Sequence, residues 1–504
     1  MREKRLAANT VSSLMLQLCT IICGFILPRM ILAGFGSNVN GMINSITQFL
    51  AVISFLELGV GSVIQSSLYK PLADKDNETI SKIIVSGQKF FSRLAMILFV
   101  YVCILMGSYP FFAKQDFGIV YTSTMVAILS ISSFAQYYFG IVNSILLNAD
   151  QKGYVSNITQ IVTLILNTVF CIVLIKHGAS IHIVKLTTSL IYVIRPLYLS
   201  FYVKQHYCLD RKIKYDKEPI KQKWNGVAQH VAAVVLDGTD NIVLTIFAGL
   251  KIVSIYSVYN IVVAGVKQLF LAMTNGVQSL IGELWAKQEL DELKRFFGWV
   301  EWSIHTGTTF VFGVTSILIV PFVQIYTYGI NDVNYVQPLF AILIVAANAG
   351  HCLRLPYNIM ILAGGHYRQT QKNYIVAATI NIIVSVLAVK TLGLVGVAIG
   401  TLLAMFYQTV WMAIYDSKNL ICWPIKNFIK QMVVDVISVL AFSLLAAVFK
   451  FNTITWLAWV EYAIVISISA LIIQVVINTL FYKKYMVQLA SKLRRVFVKR
   501  KDRL

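Results

Sequence analysis

Of the 504 residues, 58% are hydrophobic and 13% charged, and 43 Lys and Arg against 22 Asp and Glu give a formal charge of +21. This mixture excludes an ordinary soluble domain. It also argues against nucleic-acid binding, because no folded soluble part is left to display a reading element.

Apolar stretches of about 20 residues or more, enough to cross a bilayer, recur from end to end, so the expected fold class is an all-α polytopic membrane protein. Fourteen helices are predicted, at about 7–33, 41–68, 87–109, 120–147, 156–175, 182–205, 227–249, 254–282, 298–322, 336–362, 374–391, 394–415, 429–449 and 457–481. The first is too long for a signal-peptide core and has no small-residue cleavage site after it, so it is expected to remain.

Taken in chain order, the polar residues inside these helices mark the candidate sites. In helix one, Arg29 follows Pro28 four residues from the outer end, where an arginine can snorkel to the interface or meet an outer gate. Helix two carries Glu57 close to Gly59. Helix six has Arg195 beside Pro196 nearer mid-depth, where a carboxylate or a cavity would have to receive it. Helix seven holds Asp237 and Asp240 one turn apart; they predict either an ion pair with a cation such as Lys267 or a coupling site for Na⁺ or H⁺. Glu57 is a weaker candidate for the same roles.

Helix eight sets Asn260, Lys267, Thr274 and Gln278 on one stripe, and helix ten sets Asn348, His351, Arg354 and Asn358 on another. A permanent cation within hydrocarbon needs water, an anion or a carboxylate, so these stripes predict a cationic cavity. For the amides the alternative is structural hydrogen bonding between helices. His305 is expected to be a hydrogen-bonded core residue. Pro356 lies two residues beyond Arg354. Because proline removes a backbone donor and kinks a helix, the three arginine-proline positions predict interruptions.

With the N-terminus in the cytoplasm, the inner segments hold about 33 of the 43 Lys and Arg, including Arg2, Lys4, Arg5, the run from Lys204 to Lys223 and the tail from Lys483 to Arg503. The outer loops hold only Lys114, Lys176, Lys185, Lys251, Lys390 and Lys450. This is the positive-inside pattern of an even helix count with both termini cytoplasmic, and the tail can add attraction to anionic lipid headgroups. The seven cysteines are an odd number and fall mostly within apolar helices. They read as small core residues and not as a disulfide frame or metal site, and no cofactor is expected.

An offset of about 214 residues carries the first six helices onto helices seven to twelve, laying the segment from Ile145 to Tyr154 over that from Ile359 to Arg368. The expected organisation is an N-terminal six-helix lobe at 1–205, a basic cytoplasmic linker at 206–226, a C-terminal six-helix lobe at 227–415, an additional helix pair at 416–481 and a basic tail at 482–504. Two repeated lobes are a transporter plan, with substrate bound between them and alternating access produced by rocking. Outer loops no longer than about fifteen residues leave no space for an extracytoplasmic catalytic domain. There is no Gly-rich phosphate loop either. An enzyme is therefore not expected.

The six-plus-six-plus-two plan, Glu57 with Gly59, the segment Asp240 to Leu244 followed by Gly249 and Tyr256 to Tyr259, and the turn Ala363, Gly364, Gly365 resemble the polysaccharide (Wzx-type) flippases of the multidrug/oligosaccharidyl-lipid/polysaccharide (MOP) exporter superfamily. The resemblance implies a multi-pass protein of the bacterial cytoplasmic membrane that flips a polyprenyl-diphosphate-linked oligosaccharide for capsule, O-antigen or exopolysaccharide assembly. It further implies a basic central cavity and, as in some relatives, an ion gradient as power source. Lipid-linked oligosaccharide, membrane lipids and other polysaccharide-assembly proteins are the partners it suggests. The cavity residues themselves, Arg354, Lys267, Arg29, Arg195, His351, Asn348, Asn358, Asn260 and Gln278, are assigned from this sequence alone. A flippase of the lipid-linked peptidoglycan precursor is the alternative with the same cationic requirement. A multidrug or cation antiporter would want an apolar or acidic cavity, and a membrane glycan polymerase would want larger outer loops.

Overall fold

The computed structural model describes residues 2–57, 59–112, 117–213 and 227–501. Lys114, the linker from Lys214 to Gly226, Arg503 and the side chain of Asp237 lie outside that description.

All regular structure among the described residues is helical. The order is α1 (Arg2–Ala51), α2 (Val60–Asp74), α3 (Asn77–Phe112), α4 (Ile119–Ala135), α5 (Ile141–Ala149), α6 (Gly153–Lys176), α7 (Ile181–His206), α8 (Val227–Phe247), α9 (Leu250–Ala286), α10 (Leu290–Tyr326), α11 (Pro338–Leu353), α12 (Leu355–Ala363), α13 (Tyr367–Leu392), α14 (Leu394–Asn419), α15 (Ile425–Val448), α16 (Trp456–Phe481) and α17 (Lys483–Lys501). A 3₁₀ turn at Val52–Glu57 follows α1, and a π-helical turn at Gln136–Gly140 joins α4 to α5.

Twelve stretches among the described residues are long and apolar enough to cross a membrane, and the chain is a multi-pass membrane protein. The count differs from the fourteen predicted at two places. Predicted helices one and two are fused into one stretch, Ala8–Ser54, and predicted helix seven lies against the undescribed linker. The fused stretch has 47 residues, which at about 1.5 Å per residue is roughly twice the hydrocarbon thickness. Its bend is at Gly36, which has φ 79° and ψ 177°, a conformation open to glycine and strained for other residues. Asp332 satisfies the helix that restarts there: it accepts from the Ser37 backbone N–H at 2.7 Å and from the Ser37 hydroxyl at 2.6 Å.

Contacts divide the chain into two compact units. The first is Met1–Ser257 with Gly329–Val333, and the second is Val258–Tyr328 with Asn334–Leu504. The division falls inside α9, and α8 packs on α1. In the first unit the core gathers buried side chains such as Met42, Phe91, Leu98, Tyr109, Met125 and Leu146. In the second, α15 and α16 dock on α10: Val314 and Leu318 pack with Phe442, Ile466 and Ala470. Trp302 donates to the Asn478 amide oxygen at 2.8 Å, Thr306 donates to the same oxygen at 3.1 Å, and Gln474 donates to the Thr306 carbonyl at 3.2 Å. Helix α16 is thus held on α10 by apolar packing and by neutral hydrogen bonds, which in hydrocarbon have no water to compete with them.

The offset of about 214 residues reappears in the helix bounds. It carries Ile141–Ala149 onto Leu355–Ala363 and the start of α6 at Gly153 onto the start of α13 at Tyr367. Two of the predicted interruptions are corrected by the same comparison. Pro28 and Pro196 sit inside continuous helices, α1 and α7. Membrane helices tolerate proline where neighbours and small local adjustments satisfy the freed carbonyl. The third predicted interruption is present, at Arg354, and two further breaks lie at Gly36 and at the π turn ending in Gly140.

Close helix approach depends on glycine at particular points. A Cβ on Gly41 of α1 would lie 1.8 Å from the Leu250 carbonyl oxygen, whereas one on Gly107 of α3 would meet nothing within 4 Å. Gly41→Ala is expected to cost about 1–3 kcal/mol through overpacking, seen as a lower unfolding midpoint in detergent. Gly107→Ala, on an exposed helix face, is expected to be neutral or slightly stabilising in the same melt.

Candidate functional site

Each repeat breaks its fourth helix at the same place. In the first, the π turn at Gln136–Gly140 widens the helix, and a Cβ on Gly140 would lie 2.8 Å from the Pro196 Cβ on α7. Carried forward by the offset, Gly140 falls on Arg354, the single residue between α11 and α12. Pro356 opens α12 and cannot donate to the preceding turn. The backbone closes around the break with a bond from Arg354 N–H to the Gly350 carbonyl at 3.2 Å and one from Asn358 N–H to the Arg354 carbonyl at 3.1 Å.

Arg354 is 7% exposed. Its guanidinium donates to the side-chain oxygen of Gln408, a buried residue of α14, and lies 3.2 Å from Nδ1 of His351. On the same α14 turn, Thr409 donates to the Gly350 carbonyl at 3.2 Å. Gln408 and His351 orient the guanidinium. Lys267 of α9 is close enough to act electrostatically on both His351 and Cys352, as Arg354 does. Among the predicted cavity residues, Arg354 and His351 therefore meet at the break, with Lys267 of α9 within electrostatic reach of His351. Gln408 completes the arrangement, and nothing in the sequence pattern singled that residue out.

The other predicted residues are placed differently. Asn348 donates to the Ile344 carbonyl of its own helix at 2.9 Å, and Asn358 accepts from the Tyr374 hydroxyl. Both are structural hydrogen bonds between or within helices, the alternative role open to the amides. Asn260 and Gln278 are half-buried on α9. In the first unit, Arg29 is half-buried on α1, and Arg195 donates to the Ser156 hydroxyl at 2.9 Å. Ser156 in turn lies 3.2 Å from Ser144, so Arg195 ties α7 to α6 and α5. Asp240 is buried and accepts from Tyr256 at 3.0 Å. Glu57 ends the 3₁₀ turn, half-buried, just before Gly59, whose φ is 71°. Asp240, Glu57, Arg29 and Arg195 thus belong to the first unit, while Lys267 and Arg354 belong to the second.

The second unit also buries carboxylates that the sequence reading passed over. Glu301 and His305 of α10, Tyr357 of α12 and Asp435 of α15 form one hydrogen-bonded chain. Asp416 of α14 is buried, and neither of its carboxylate oxygens has a hydrogen-bond partner among the described residues. A group of three or more His, Cys, Asp or Glu side chains arranged to hold a metal ion is not found among the described residues.

No protein-family model matches the chain, and no curated protein matches it in sequence. Solved structures do. The lipid II flippase MurJ in an inward closed conformation aligns with a TM-score of 0.68 at 14% identity, covering 94% of this chain and 98% of that one. The fold is that of MOP-superfamily transporters. An inward-facing multidrug resistance MATE transporter of the superfamily aligns with a TM-score of 0.60 at 15% identity over 81% of this chain and 98% of its own. A MOP transporter from Pyrococcus furiosus, for which reverse polarity of the binding pocket suggests a different function, aligns with a TM-score of 0.54 at 13% identity over 81% and 95%.

Replacing Gln408 by Leu removes a buried acceptor from a cation. Hydrogen bonds to charged groups contribute about 1.5–3 kcal/mol, so Gln408→Leu is expected to lower the melting midpoint of the purified protein by that much stability. Gln408→Glu, which pairs the guanidinium with a carboxylate, is expected to restore the midpoint.

Proposed function

We propose that this protein flips a polyprenyl-diphosphate-linked oligosaccharide across a cytoplasmic membrane for surface polysaccharide assembly, by alternating access. The observation that carries the reading is the guanidinium of Arg354, buried at the break between α11 and α12, with Lys267 of α9 within electrostatic reach of the same turn. Moving a bare diphosphate through hydrocarbon would carry a Born penalty on the order of tens of kcal/mol. A guanidinium already held in place replaces lost hydration, and its planar fork suits two phosphate oxygens at once. Broken helices at mid-membrane are where transporters of repeated architecture place their substrate sites. The lipid tail stays in the bilayer, so only the headgroup needs a path.

The MOP fold supports this mechanism, and the buried guanidinium favours an anionic cargo over a drug cation. We read Gly36 as separating two crossings within α1, which with α8 makes fourteen crossings, and the positive-inside pattern as placing both termini on the cytoplasmic side. Arg29 and Arg195 serve as secondary contacts on the first unit, and Asp237, Asp240 and Glu57 as candidates for Na⁺ or H⁺ coupling there. A peptidoglycan lipid precursor would meet the same cations and is the second reading; the lipid II flippase MurJ shares the fold over 94% of the chain.

Arg354→Gln and Lys267→Gln are expected to abolish surface polysaccharide while the lipid-linked intermediate accumulates and the variant protein remains abundant in the membrane. Normal export from the double variant would contradict the cationic site. Loss of cell-wall synthesis with surface polysaccharide intact would select the peptidoglycan precursor instead.

A further inference from the structure

We propose that Glu301, Tyr357, His305 and Asp435 form a proton-binding site, and that its occupancy sets the position of α12 and so of Arg354. The second half of this rests on the role given to Arg354 above; the proton site stands on its own geometry.

Hydrogen-bond directions can be followed from end to end. Glu301 accepts from the Tyr357 hydroxyl at 2.7 Å on one oxygen and from the Trp423 indole at 2.9 Å on the other. Asp435 accepts from His305 Nδ1 at 2.7 Å, from Thr309 at 2.8 Å and from Gln431 at 3.3 Å. A carboxylate only accepts, so His305 carries its first proton on Nδ1. His305 Nε2 lies 3.3 Å from the Tyr357 oxygen. The Tyr357 proton is committed to Glu301, so that oxygen offers Nε2 a lone pair. A second proton on the imidazole then completes an unbroken run from Asp435 through His305 and Tyr357 to Glu301. Without that proton, two carboxylates face each other across a neutral ring in a dry interior.

His305 is fully buried, and the titratable groups facing this chain from the other packed elements are Asp416 on α14 and the tyrosines Tyr482 and Tyr485 beyond the end of α16. Arg354 with His351, and Lys267 of α9 within electrostatic reach of His351, are the next titratable groups along. The chemistry also separates H⁺ from a metal cation. A hard cation requires several open oxygen ligands, whereas each oxygen of Glu301 and Asp435 already faces an N–H or O–H donor.

A purely structural clamp would not need ionisable groups here. The neighbouring helix α16 grips the same α10 with Asn478 and Gln474, both neutral. The chain is also joined mechanically to the break, because Tyr357 lies on α12, three residues past Arg354. Losing the proton weakens the bond that ties α12 to α10 and α15.

The test is a pH-difference infrared spectrum of the full-length protein in lipid nanodiscs, recorded between about pH 5 and pH 8, the range in which imidazole titrates. Wild type is expected to show an imidazole protonation signal coupled to carboxylate bands, and His305→Gln is expected to lose it. Should His305→Gln fail to fold, Glu301→Gln decides: with one negative neighbour removed, the midpoint should fall by about one pH unit, a tenfold loss of proton affinity. An unchanged midpoint in Glu301→Gln, or a signal that follows sodium when choline replaces it at fixed pH, would overturn the proposal. Intact titration in a protein that exports no polysaccharide would count against the substrate reading and leave the proton site standing.

Discussion

A helix that opens inside hydrocarbon must have its free polar groups met by protein, because lipid cannot do so. This chain opens its fourth helix twice, at positions the repeat makes equivalent, and each opening is backed by the sixth helix of the same repeat. In the first repeat the contact is steric and apolar: the π turn at Gly140 against Pro196. In the second it is polar: Arg354 against Gln408, with Thr409 reaching the Gly350 carbonyl. One geometry has been filled with two chemistries. On the proposed reading the second break receives the anion directly, and Arg195, beside Pro196, is a secondary contact in the first.

The additional helix pair acquires a purpose from where it docks. It lies on α10, the helix that also carries Glu301 and His305, and α15 contributes Asp435 to the buried chain. The pair therefore completes a titratable group that the twelve repeated helices alone would leave open. Burying carboxylates beside an imidazole is costly compared with an apolar core of the same volume. That cost is hard to reconcile with packing alone when α16 obtains the same adhesion from amides.

Much of this was legible in the sequence, in proportion to how strongly physics constrains the pattern. Hydropathy and the positive-inside bias gave a polytopic helical protein, because length and polarity of a span are set by the bilayer. The offset of about 214 was visible in spacing and holds to the residue for α5 and α12. Arg354 stood out because a cation in an apolar run is rare. What escaped were partners that only folding supplies. Gln408 lies 54 positions from Arg354, and Asp435 lies 130 from His305. His305 looked like a core histidine by itself; its chemistry depends on a carboxylate from a helix outside the repeat. The prolines misled for a related reason, since a kink depends on whether neighbours absorb the lost bond, as they do at Pro28 and Pro196.

The central claim is that the break at Arg354 receives an anionic headgroup. Native mass spectrometry of the purified protein with a polyprenyl-diphosphate-linked sugar, against the same lipid bearing a neutral headgroup, tests it most directly. Wild type should retain the diphosphate lipid selectively, and Arg354→Gln should lose that selectivity while remaining folded. Equal retention of both lipids by wild type, or undiminished selectivity in Arg354→Gln, would contradict the account.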